Sequence, residues 1–243
     1  MAASRPRVTL SAAVSIDGKI ATRTGDSGLS SRRDLARVHR LRASHDAILV
    51  GIGTVLADDP LLTVRLARGR SPVRVILDSR ARLPPSSRIA RTCGEVRTIV
   101  AVSRAAPARR LARLRDMGVE AIAAGRERAS PRAALSRLSR LGIRSVLLEG
   151  GSRANWSLVR AGLVDEAVIC VVPRLLGGAA KKAQDRQEGR AQAGTDGSAG
   201  KAQGKGLYGP KARPKVRFWG VRNLVLRKAR DARAGLRQEA DTA

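Results

Sequence analysis

Two short strings carry residue types that could do chemistry: DAILVGIGTVLADDP at 46–60 and LLEGGSRANW at 147–156. Each runs from an apolar strand through glycine into polar residues, the arrangement by which α/β proteins place side chains at strand ends. In the first, Gly51 and Gly53 let the backbone pass close to a ligand, and Thr54 and Asp58 offer a hydroxyl and a carboxylate about one helical turn apart. A capped turn ahead of Pro60 fits the same residues, so spacing leaves both readings open. In the second, Gly150, Gly151 and Ser152 end a strand and open a helix whose N–H groups suit a phosphate. Glu149 sets a carboxylate above the sheet, where it either meets a ligand or pairs with one of the many arginines.

Arg42 and Arg65 are the arginines that matter in this context. Two guanidinium forks near one cleft suit a phosphorylated substrate, although each alone reads as a solvated surface residue. His39 and His45 have no third partner at ligand spacing, so a zinc site is not expected. GIGTVLA lacks the third glycine of the dinucleotide fingerprint, and no Walker loop is present. The zinc-deaminase pattern, H-x-E with P-C-x-x-C, is absent as well. Cys93 and Cys170 lie far apart, and Cys170 sits in an apolar run as a small buried hydrophobe would.

The elements that must position these residues follow from periodicity. Apolar strands are expected at 8–15, 47–51, 73–77, 98–102, 119–123, 145–148 and 167–172. Helices of about ten residues separate them: one to residue 42, opened by the capping box Ser31-x-x-Asp34 with Leu35, Val38 and Leu41 inward, then 107–117, 131–141 and 151–161. Strands alternating with helices predict one three-layer α/β domain with a largely parallel sheet. Segments 216–219 and 223–227 read as a returning antiparallel edge pair, which would make the sheet mixed.

The chain has 243 residues, enough for one domain with a full core, and no apolar run approaches bilayer length. The N-terminus lacks a signal peptide's apolar centre, so a cytoplasmic location is expected. The formal net charge of +28 raises nucleic-acid binding, but four aromatics are too few for a base-stacking platform. No specific nucleic-acid partner and no membrane are therefore expected. Residues 179–243 hold 16 Lys and Arg against 6 Asp and Glu, so the charge is not one basic arm. Segment 179–215 carries only Leu207 and Tyr208 as large apolar side chains and reads as a low-complexity basic insertion; 229–243 reads as a charged tail.

Five strings in register, VSIDGKIA (14–21), HDAILVGIGTVLADDPLLTVR (45–65), VILDSR (75–80), LLEGG (147–151) and AGLVDEAVICVVPRLLGG (161–178), resemble the riboflavin-biosynthesis reductase family. The resemblance implies a dihydrofolate-reductase-like fold, NADPH and a homodimer. It also implies hydride transfer to C1′ of a ribosylamino-pyrimidine 5′-phosphate, opening the ribosyl group to a ribityl chain. The family's cofactor contacts carry over to Ala13, Leu29, Thr54, Asp58, Ser79 and Gly150, Gly151, Ser152, Arg153, Ala154 and Asn155. Its substrate contacts carry over to Ser27, Arg42, Leu62, Arg65 and Glu149, with Glu149 also the candidate for proton transfer. The sequence departs from the family at Ser11, where many members carry Lys or Asn. A stand-alone reductase resembles the archaeal and fungal type, which acts on 2,5-diamino-6-ribosylamino-4(3H)-pyrimidinone 5′-phosphate. The alternatives are the 5-amino-6-ribosylaminouracil analogue and, less well matched, dihydrofolate reductase.

Overall fold

Alternating burial in the expected strands sends side chains to two opposite cores. In the computed structural model, which describes residues 5–22, 28–177, 181–182 and 215–219, the chain runs β1 (Arg7–Ser15), β2 (Lys19–Ala21), α1 (Arg32–Ala43), β3 (Ala47–Gly51) and α2 (Ile52–Asp58). It continues through β4 (Val73–Leu77), α3 (Arg88–Arg91), β5 (Thr98–Val102), α4 (Ala108–Asp116), β6 (Glu120–Ala123) and α5 (Pro131–Arg140). Last come β7 (Ser145–Gly150), α6 (Ser152–Arg160), β8 (Glu166–Val172), β9 (Lys181–Lys182) and β10 (Lys215–Trp219). Ser27, most of segment 179–215, the strand expected at 223–227 and the tail at 229–243 lie outside the described residues.

Among the described residues, eight strands form one sheet in the order β10-β8-β1-β7-β3-β4-β5-β6, and every pairing in it is parallel. The expected antiparallel return at 216–219 is thus corrected: β10 lies parallel to β8. The long stretch between Val172 and Lys215 exceeds what a hairpin needs and is ample for the crossover a parallel neighbour requires. Antiparallel pairing among the described residues is confined to the small β2–β9 ribbon.

On one face of the sheet Ile48, Val50, Ile76 and Val100 meet Val55 of α2, Ile89 of α3 and Leu114 of α4. On the other, Leu49, Val75, Ile99 and Leu148 meet Leu135 and Leu138 of α5 and Leu158 of α6. Each such side chain contributes about 1.5–3 kcal/mol by leaving water. The covered β3 has no polar residue on either face, as a strand buried on both sides requires.

Helix α1 departs from the sequence expectation. Its Leu35 is 41% exposed, whereas Asp34, Arg37 and His39 are buried. The reason lies beneath it: Thr9, Ser11 and Ser15 are the buried residues of β1 that alternate with Val8, so the sheet surface there is polar. Half of the capping box forms, with Ser31 accepting from the Asp34 N–H at 3.2 Å. The Asp34 carboxylate turns to Arg37 instead of reaching back.

Candidate active site

Parallel strands send their carboxyl ends to one rim, and the order β1-β7-β3-β4 brings Ala13, Glu149, Gly51 and Ser79 to neighbouring strand ends. At the centre the two glycine turns meet. A methyl on Gly150 would lie 3.1 Å from Thr54 Oγ1, one on Gly151 2.9 Å from the same atom, and one on Gly51 3.3 Å from the Ala154 methyl. Gly151 also has φ +79°, which glycine adopts without strain. The first turns of α2 and α6 are therefore packed at glycine distance.

Glu149 owes its placement to a register shift. Leu49 pairs with Leu148 and Val50 with Gly150, so Glu149 is the extra residue of a β-bulge, a device that re-aims side chains beside active sites. Its carboxylate takes a two-pronged contact from Arg42, Nε to Oε1 at 2.8 Å and Nη2 to Oε2 at 2.6 Å. Both side chains are close to nine-tenths buried, at 12% and 11% exposure. Arg42 Nη1 donates to the Thr63 carbonyl at 3.0 Å, so most of this fork is committed within the protein.

The segment after α2 is fixed from several sides. Asp59 accepts from the Arg88 N–H at 2.8 Å, and Ser71 from the Val64 N–H at 3.0 Å. His39 Nδ1 accepts from the N–H groups of Arg65 (2.8 Å) and Leu66 (3.2 Å), which requires a neutral ring with its proton on Nε2. Burial, then the charges of Arg42 and Arg65, push this imidazole down to about 4. Leu62 holds a left-handed φ of 56°, a cost of about 1–2 kcal/mol that burying its side chain offsets. The exposed Arg65 guanidinium is thus presented by a rigid backbone, and burial with the nearby charges of Arg42 and Arg88 lowers its pKa.

A second ion pair is buried at the start of α1. Arg37 Nε donates to Asp34 Oδ1 at 2.8 Å, and Nη2 lies 2.7 Å from the same oxygen. Asp34 Oδ2 and Arg37 Nη1 are buried without a hydrogen-bond partner in the protein framework, apart from the Cys170 thiol beside the carboxylate, whereas Nη2 is spent on the ion pair. Cys170 lies against this pair; burial, then the Asp34 charge, push its thiol up to about 11. Ala13 and Leu29 pack with Cys170 in the same small cluster.

Comparison with known proteins decides what this rim belongs to. A profile of the RibD C-terminal domain matches residues 6–197. The chain belongs to the RibD C-terminal domain family. It is 49% identical over 177 residues to the 2,5-diamino-6-ribosylamino-4(3H)-pyrimidinone 5′-phosphate reductase of Methanothermobacter thermautotrophicus, covering 72% of this chain and 81% of that one. The reductase of the same name from Archaeoglobus fulgidus is 43% identical over 185 residues, covering 72% and 83%. Among solved structures, Acinetobacter baumannii RibD superposes with TM-score 0.65 at 31% identity, covering 76% of this chain and 51% of that one, so this chain spans about half its length. The Saccharomyces cerevisiae riboflavin biosynthesis reductase Rib7 gives 0.62 at 25% identity, covering 75% and 80%. The architecture is thus the dihydrofolate-reductase-like α/β fold of RibD reductase domains, whose chemistry uses a nicotinamide cofactor.

Within this family frame the expected site residues separate into groups. Thr54 joins Gly150 and Gly151, and Ala154 joins Gly51, while the neighbouring Ser152 is half-buried, Arg153 exposed and Asn155 buried. Ala13 joins Leu29, and Arg42 joins Glu149. Ser79 stands apart beyond β4, its hydroxyl accepting from the Ala129 N–H at 2.8 Å. Asp58 is exposed at the end of α2. A dinucleotide fits the residues present: no side chain caps α6, open space lies in front of Gly53, and the buried Asn155 amide oxygen lacks a partner. Sequence reasoning missed Asp34, Arg37 and His39; a helix whose i, i+3 polar residues face a polar strand was the available signal.

Proposed function

We propose that the protein reduces the ribosyl group of 2,5-diamino-6-ribosylamino-4(3H)-pyrimidinone 5′-phosphate to the ribityl group, with NADPH as the cofactor. The 49% identity to an archaeal protein of that name supports the reaction class. The observation that supports the substrate choice is the buried Asp34–Arg37 pair, whose Asp34 Oδ2 and Arg37 Nη1 are left over from the pairing. A 2-amino-4-oxo-3H-pyrimidine offers two adjacent N–H donors to a carboxylate and a carbonyl to a guanidinium. The amino-uracil analogue replaces the amino donor with an oxygen that the same carboxylate repels, and buried polar groups left unpaired discriminate strongly.

The closed ribosylamine must open to an imine before C1′ can accept hydride, which the nicotinamide supplies. Glu149, held in the Arg42 fork, keeps lone pairs to accept from a ribosyl hydroxyl and orient the sugar. Arg65, presented by His39, is the phosphate ligand; Arg42 acts through Glu149 and Thr63 as a positioning residue. Thr54, the glycine turns, Ala13 and Leu29 line the cofactor side.

Ala12, Val14, Ile169 and Val171 are half-buried, and Ile16 is 53% exposed beyond β1. This outer face of β1 and β8 supports a homodimer, which sedimentation velocity would resolve. Cys93 and Cys170 are both free, in keeping with the reducing cytoplasm. No helix among the described residues is long and apolar enough to cross a membrane.

The test is NADPH oxidation with the diamino and the amino-uracil substrates side by side. The wild-type protein is expected to favour the diamino compound by about 100-fold or more in kcat/KM, and Asp34→Asn to erode that ratio. Turnover of neither substrate would overturn the reading; equal turnover of both would overturn the role of Asp34.

A further inference from the structure

Residues 130–164, which build α5, β7 and α6, hold six arginines and one carboxylate. The carboxylate is Glu149, turned inward to Arg42. The arginines, Arg132, Arg137, Arg140, Arg144, Arg153 and Arg160, are all exposed. On α5 this follows from the buried stripe: Ala134, Leu135 and Leu138 face the sheet, so Arg132, Ser136, Arg137 and Arg140 occupy the opposite arc. On α6 the burial of Ala154, Asn155 and Leu158 likewise turns Arg160 outward. Hydrogen bonds join the two helices into one surface. Arg132 Nη2 donates to the Ala161 carbonyl at 3.0 Å, while the Arg144 carbonyl and the Asp165 N–H both bond to the start of β1. The carboxylates at its border are spent: Asp46 accepts from the Arg144 and Ser145 N–H groups, and Asp165 and Glu166 bridge to Arg5 and Arg7. Helix α4, on the opposite face of the sheet, also exposes arginines but has Asp116 among them.

We infer that this surface of α5 and α6 docks the phosphodiester backbone of double-stranded DNA without reading its sequence, an interaction independent of the reductase reading. Arg132 to Arg140 spans about 12 Å of helix, over which one strand of a duplex offers about three or four phosphates. Guanidinium groups and serine hydroxyls are side chains that bind phosphate oxygens, and Ser136 lies exposed among the arginines. Backbone contact needs no stacking platform, so a chain with four aromatics can make it. An anionic membrane fits less well, because a helix lying in a bilayer surface inserts a broad apolar face, and the apolar faces of α5 and α6 are buried against the sheet. Arg144 and Arg160 stand beside the turns that enter β7 and β8, at the amino ends of the strands. Glu149 lies at the other rim, so docking leaves the site open.

Fluorescence anisotropy of a labelled DNA duplex of about 20 bp, titrated with the full chain between ~50 and ~200 mM salt, tests this without turnover. The wild-type protein is expected to bind duplexes of unrelated sequence alike, with log affinity falling linearly against log salt. A variant with Arg137→Gln, Arg140→Gln, Arg144→Gln and Arg160→Gln should bind about 30-fold or more weakly at the lower salt, with a salt slope smaller by about three to four. Because the formal net charge is +28, a matched control decides the matter. Arg91→Gln, Arg109→Gln, Arg113→Gln and Arg115→Gln together remove the same charge from α3 and α4 and should cost about threefold at most. If the fourfold variant on α5 and α6 folds poorly, Arg137→Gln with Arg140→Gln alone should still reduce the slope by about two. Equal losses in the two sets would show that the charge acts diffusely and would overturn the assignment, as would wild-type protein that binds no duplex at the lower salt. An RNA duplex that competes about tenfold better than DNA, or capture by phosphatidylserine vesicles without duplex binding, would overturn the choice of partner.

Discussion

Helices α1 and α5 cover opposite faces of one sheet with opposite materials. Helix α5 buries Ala134, Leu135 and Leu138 against apolar strand residues, capped by Ser130 with Pro131 in its first turn. Helix α1 buries Asp34, Arg37 and His39, and its last turn sends Arg42 to Glu149. The first arrangement is additive and tolerant of any side chain of suitable volume. The second depends on matched partners, so each of its residues is worth more when deleted alone than when replaced together with its partner. In this protein the apolar contacts of α5 supply stability, and the polar contacts of α1 supply a defined site wall.

The sharpest way to break this contrast is to unpair Glu149. Arg42→Ala should destabilise the fold by about 3–5 kcal/mol in urea melts, because it strands a largely buried carboxylate. Replacing both residues, Arg42→Met with Glu149→Leu, should restore most of that stability while leaving no ribosyl reduction. If the double variant melts no later than Arg42→Ala, the pair is not the isolated unit described. Next in size, Leu138→Ala on α5 should cost about 2–5 kcal/mol, with cofactor affinity of the folded protein unchanged. A shifted cofactor affinity there would mean that the apolar side also shapes the site.

Acid titration separates the two sides further. His39 stays neutral in the folded protein down to about 4, whereas an unfolded imidazole takes up its proton near 6.5. Between those values the unfolded chain holds more protons, so this contribution is full above pH 6.5, shrinks as pH falls towards 4, and changes no further below. The difference in Tm between wild type and His39→Asn should therefore depend on pH within that window, and a constant difference would refute the neutral acceptor. The smallest effect belongs to Leu35→Gln, which should change stability by no more than about 0.5 kcal/mol because that side chain is half in solvent. A larger loss in dilute solution would reveal that something covers it.

Legibility in the sequence follows the same division. Strands β3, β4 and β5 match their expected bounds residue for residue, because continuous Val, Ile and Leu runs between turns admit few alternatives. Leu114 on α4 and Leu138 on α5 are buried as their spacing implies. Helix α1 misleads because Leu35, Val38 and Leu41 have the right spacing for a buried stripe, while the polar surface of β1 that reverses the choice lies twenty or more residues away in sequence. The glycine turns were legible as motifs, but the bulge that aims Glu149 was not, since a one-residue register shift depends on the neighbouring strand. The small elements β2 and α3 carry too few residues for any period to show.

The contact between the glycine turns also constrains how this sequence can change over generations. Thr54 fills the space that side chains at positions 150 and 151 would need, and Ala154 fills the space at position 51. An alanine at 150 can be accommodated only in lineages where position 54 has already shrunk, whereas position 151, with its left-handed backbone, gains little from the same change. Substitutions at 54 and 150 are therefore expected to be accepted in a fixed order, and those at 151 hardly at all.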